Sequence, residues 1–77
     1  PFNPSLNIYF STAIPGKTDI VIYNSNGQEV GNVLRNEYLQ SGNYNFSWDA
    51  GNNPSGLYFV KLESQNLTQV KKALFLK

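Results

Sequence analysis

From Asn43 to Leu62 the chain reads NYNFSWDAGNNPSGLYFVKL, and two runs within it repeat with a period of two. Tyr44, Phe46 and Trp48 are separated by Asn45, Ser47 and Asp49. Beyond a loop of small and polar residues, Tyr58, Val60 and Leu62 share one parity, while Lys61 and Glu63 take the other. Successive side chains of a strand point to opposite faces, so each run reads as a strand with one dry face and one wet face. All three aromatic rings of the first run are therefore expected to face a core. Two such strands on either side of Pro54-Ser55-Gly56 read as a hairpin able to nucleate sheet-on-sheet packing.

The rest of the chain supplies further strands. Pro1 to Ser5 is extended and turn-prone, because its two prolines fix φ and bias the residues before them away from helix. Leu6, Ile8 and Phe10 alternate with polar or amphipathic neighbours and predict a first strand. Pro15-Gly16 suits positions i+1 and i+2 of a turn. Thr18 to Tyr23 is β-branched and almost continuously apolar, which predicts a central strand. Asn26-Gly27 is a hairpin cue, since both residues tolerate positive φ. Gln28 to Val30 resumes an extended path, and Val33 and Leu34 are expected as core anchors of a short strand. Asn36 to Gly42 reads as irregular, with Ser41-Gly42 as a turn. Ser64-Gln65-Asn66 reads as a hairpin tip and Thr68 to Leu76 as the closing strand. No segment sustains helical periodicity. The expected fold is a single all-β domain over residues 1–77, an immunoglobulin-like or fibronectin-like antiparallel β-sandwich of about six to seven short strands.

Composition narrows the function. The chain has 77 residues, no Cys and no His, so thiolate metal sites, disulfides and the commonest general base are all absent. A net charge of +1 with only 14% charged residues gives little electrostatic capture of nucleic acid. The acids Asp19, Glu29, Glu37, Asp49 and Glu63 are scattered, and a carboxylate pair for glycoside hydrolysis needs two of them across a cleft. No catalysis and no cofactor are expected. Asp49 with Asn52 and Asn53 matches no EF-hand spacing and reads as a turn bonding its own backbone. Tyr9 and Tyr23 are the only rings expected to be exposed for stacking on sugars. Lys71, Lys72 and Lys77 bracket the apolar Ala73, Leu74, Phe75 and Leu76. That pattern suits a terminal edge strand, either read by a partner or protected by its charges.

Taken in order, PFNPS, LNIYFS, DIVIYNSNGQEV, the segment ending SWDA, PSGLYFVKL and QVKKALFLK resemble the C-terminal sorting domains of the type IX (Por) secretion system. These are relatives of the immunoglobulin-like domain of the flagellar hook-capping protein. The resemblance covers the whole chain. It assigns Pro1, Asn3 and Pro4 to the opening motif, and Asn26 and Gly27 to the hairpin turn. Trp48 and Asp49 form the Trp-Asp pair, Ser55 to Leu62 form the Gly-x-Tyr strand motif, with Pro54, Ser55, Gly56 and Tyr58 among the family's motif residues, and Lys71 to Lys77 form the terminal motif. The implied function is an address: a non-catalytic module that follows an N-terminal passenger domain and is recognised by outer-membrane translocon and sortase components. The passenger would then reach the cell surface or medium through the periplasm and outer membrane. The abrupt opening suggests a module of a longer secreted protein. Similar sandwiches also end glycoside hydrolases and proteases, as spacers or weak carbohydrate binders, and that is the alternative reading. Deletion of Leu74 to Lys77 is expected to strand a fused passenger in the periplasm.

Overall fold

The computed structural model describes residues 5–65 and 67–76. The opening-motif positions Pro1, Asn3 and Pro4, the terminal Lys77 and the hairpin-tip residue Asn66 lie outside the described residues. Six strands follow one another: β1 (Ser5–Thr12), β2 (Gly16–Asn24), β3 (Glu29–Leu39), β4 (Gly42–Asp49), β5 (Gly56–Ser64) and β6 (Leu67–Phe75). They form two antiparallel sheets, one of β1 and β4 and one in the order β3-β2-β5-β6. The expected all-β sandwich is what the chain builds.

The core follows the sequence periodicity. Ile20 and Ile22 of β2 are fully buried, flanked by Leu62 and Val60 of β5 in register. Val21 points to the opposite face and is still buried, which explains why this central strand reads as continuous rather than alternating. Facing it, the inward column of the smaller sheet is Leu6, Ile8 and Phe10 of β1 against Trp48, Phe46 and Tyr44 of β4. These rings share one face, as expected, but their burial is graded. Trp48 is buried, while Tyr44 and Phe46 are half-covered and stack with Phe10 at centroid distances of 5.4 and 5.8 Å and with each other at 5.9 Å. Tyr44 keeps its hydroxyl near the rim, where it donates to the Gln40 carbonyl at 2.6 Å.

The strands on either side of Pro54-Ser55-Gly56 do not pair. β4 belongs to the smaller sheet and β5 to the larger, so the 50–55 loop arches from one layer to the other. Trp48 and Tyr58 then meet across the sandwich, centroids 5.9 Å apart, rather than along a hairpin. The sheet-on-sheet core is as expected; the connection at its centre is an arch. Periodicity could not distinguish these outcomes, because it reports which face is buried and not which neighbour a strand takes.

Three more local readings change. Pro15-Gly16 does not form the centre of a turn, since Gly16 is already the buried first residue of β2, which lies in a different sheet from β1. At Asn24 to Gln28 only Gly27 has positive φ, at 82°, and its amide donates to the Asn24 carbonyl at 3.0 Å. That is a type I turn closed by a left-handed glycine, not a turn with two left-handed residues. Asn24 organises it: its Oδ1 accepts from the Asn26 and Gln28 amides, and its Nδ2 donates to Gln28 Oε1.

Lastly, the stretch expected as a short strand and an irregular tail is one long strand, β3. Its register against β2 shifts three times, so extra residues bulge out and mask the alternation. Val33 and Leu34 do pack against the core, as partly buried side chains. Asn36 sits at one bulge with φ 56°, a conformation Asn tolerates, and its amide donates to Asp19 Oδ1 at 2.6 Å. Gly31 of β3 lies under the Trp48 indole, where any Cβ would collide with the ring.

Candidate recognition surface

The resemblance motifs converge because of topology. Ser5 pairs with Asp49, Asn24 with Tyr58 and Gly56 with Phe75, so the start of β1, the β2–β3 turn, the 50–55 arch and the end of β6 share one pole. Most motif side chains there build structure. Asp49 Oδ1 accepts from the Gly51 amide at 2.9 Å, and Asn53 Nδ2 donates to the Ala50 carbonyl at 2.7 Å. The turn reading of this loop holds, and it commits those groups to the backbone. Tyr58 donates its hydroxyl to the Pro54 carbonyl at 2.6 Å, tying the arch to the strand that follows it. Phe75 meets Tyr58 edge-on at 6.1 Å, so Trp48, Tyr58 and Phe75 form an aromatic chain through the core. Asn26 and Gly27 are exposed turn residues. Sequence reasoning missed Asn24, whose amide side chain holds their turn; its place before Ser-Asn-Gly was the available signal.

Two other acids are similarly occupied. Glu29 accepts from Arg35 at 2.7 Å on an exposed surface, and Asp19 serves the β3 bulge. Asp19 and Glu63, far apart in sequence, stand directly opposite each other on β2 and β5, on the open outward face of the sheet. They line an open depression together with Lys17, Gln65 and Thr68. Among rings, Tyr9 is 62% exposed as expected, but Tyr23 is half-buried and Tyr38 is 58% exposed instead. Tyr9 lies on β1 and Tyr38 on β3, in different sheets, so the two make no shared stacking platform.

The terminal strand divides by parity. β6 is the outer strand of the larger sheet, paired on one side to β5 with no other neighbour among the described residues. Ala73 and Lys71 stand opposite Tyr58 and Val60, whose side chains point inward, and Phe75 continues that column into the core, 4% exposed. Lys72 and Leu74 take the outward face, opposite Phe59 and Leu57, and Leu76 follows the strand at 70% exposed. The expected recognition run is thus a mixture. Phe75 is a core residue, and Lys71, Lys72, Leu74 and Leu76 are accessible.

A two-layer β-sandwich that offers an exposed strand at one border has the form of a binding module. Over residues 1–76 the sequence matches the family described as the secretion system C-terminal sorting domain, and the chain belongs to that family. No curated protein and no solved structure matches the chain. Membership makes the domain a non-catalytic sorting signal for type IX secretion, with export through the outer membrane to the cell surface or medium. It also implies a passenger and contact with the secretion machinery, and it favours sorting over the accessory-spacer reading.

Proposed function

We propose that the domain is read at its last strand by outer-membrane translocon and sortase components while it stays folded. Supporting this reading most strongly are accessible Lys72 and Leu74 on an outer strand whose alternate residue Phe75 is locked in the core, with exposed Leu76 just beyond the strand's end. Exposed leucines on an edge are a liability in a monomer, and flanking lysines are the usual guard against indiscriminate strand pairing. A partner that satisfies both apolar contact and the ammonium groups would gain specificity from that combination.

The test is a fusion of residues 1–77 to an inert fluorescent protein carrying a signal peptide, in a host that has the type IX translocon. The fluorescence should appear at the surface or in the medium, and it should remain periplasmic when the domain is removed. Equal export with and without the domain would refute the reading.

A further inference from the structure

In a closed sandwich the inward column of an outer strand is covered by the opposite sheet. Here it is not. On β6 the column Leu67, Gln69, Lys71 and Ala73 is exposed or half-exposed, and only Phe75 is buried. The cause is a mismatch between layers, with β1 and β4 facing four strands. β1 uses one edge for β4 and has no strand on the other among the described residues. A groove runs along that free edge. Its walls are Leu6, Ile8 and Phe10 of β1 on one side and Gln69, Lys71 and Ala73 of β6 on the other.

We infer that this groove is a vacant strand position, filled in trans by an extended acidic segment of a partner polypeptide that hydrogen-bonds to β1 and lies over β6. A strand added there would sit about 4.8 Å beyond β1 and about 10 Å above β6, the ordinary spacings within and between sheets. Its inward residues would finish covering Leu6 and Phe10, which are half-buried now. The charge of the occupant follows from the walls. β1 carries no charged residue, and β6 carries Lys71 and Lys72 with no acid. Among the described residues, the ion pair of Arg35 with Glu29 leaves both lysines out. A carboxylate over Lys71 would complement it, whereas a second copy offering its own β6 would set lysines against lysines. The inference rests on the sorting reading, since it names the kind of segment the secretion machinery would present.

Amide hydrogen exchange on the 77-residue chain tests it. An alternating Val/Thr peptide with a central Glu, long enough to span β1, should slow exchange at alternate amides within Ser5–Thr12 by about tenfold or more, as new strand hydrogen bonds do. The same peptide with a central Lys should bind about tenfold more weakly, and Lys71→Glu with Lys72→Glu should reverse that preference. Protection confined to β6, no protection, or equal binding of the two peptides would overturn the inference. So would β1 protection that grows with chain concentration alone, which would make a second copy the occupant. In a passenger-bearing precursor the β1 amides should stay labile until peptide is added; protection beforehand would place the strand in cis and overturn the inference as well. Normal export of the intact fusion alongside any of these results would remove the vacant-strand inference and leave the sorting reading standing.

Discussion

Trp48→Ala is expected to unfold most of the domain at room temperature. Trp48 is 7% exposed, contacts Tyr58 across the two layers and rests on Gly31, so its removal empties the junction between the sheets. Truncating a buried aromatic to alanine costs about 3–5 kcal/mol. A domain below about 80 residues, with no disulfide or metal, holds about 3–5 kcal/mol in total. The two figures meet, so a thermal melt followed by far-ultraviolet circular dichroism should lose its cooperative transition. Intrinsic fluorescence cannot serve, because Trp48 is the sole tryptophan. Tyr9→Ala, at a ring 62% exposed, should stay within about 0.5 kcal/mol of the parent. A Trp48→Ala variant melting within a few degrees of the parent would show that Trp48 does not hold the two layers together.

Adjacent residues of the terminal strand should behave oppositely. Phe75→Ala removes a ring 4% exposed and edge-on to Tyr58, an expected loss of about 3–5 kcal/mol. Leu74→Ser changes a side chain 66% exposed and should cost about 0.5 kcal/mol or less. Denaturant titrations of the two variants side by side check this, and similar midpoints would contradict the parity assigned to β6. The contrast also changes how export experiments should be designed. Deletion of Leu74 to Lys77 takes Phe75 with it, so a stranded passenger would report unfolding as readily as lost recognition. Point substitutions on the outward face avoid that confusion.

The sequence disclosed burial better than adjacency. The parity of Tyr58, Val60 and Leu62, the apolar run through Ile20 and Ile22, and the inward Trp48 were all legible, because each depends only on a strand having two faces. What stayed hidden depends on partners distant in sequence. β4 and β5 share a period and a loop, and nothing local says that they occupy different layers. The bulges of β3 break alternation at the register shifts, so Asn36 to Leu39 looked irregular although Asp19 holds that strand in place. At the candidate surface, the Lys-rich ending was visible as a motif. That Phe75 turns inward while Leu74 turns outward was recoverable from alternation once the strand was accepted. The open side between β1 and β6 was not recoverable, since it arises from unequal sheets.

The central claim is that a folded sandwich is sorted by the outward row of its last strand. The most direct measurement is the location of a fluorescent passenger fused to the Lys72→Ser, Leu74→Ser, Leu76→Ser triple variant, in a host with the translocon and with the melting curve recorded in parallel. The account predicts an unchanged melt and a passenger held in the periplasm. An unchanged melt with full export would contradict it.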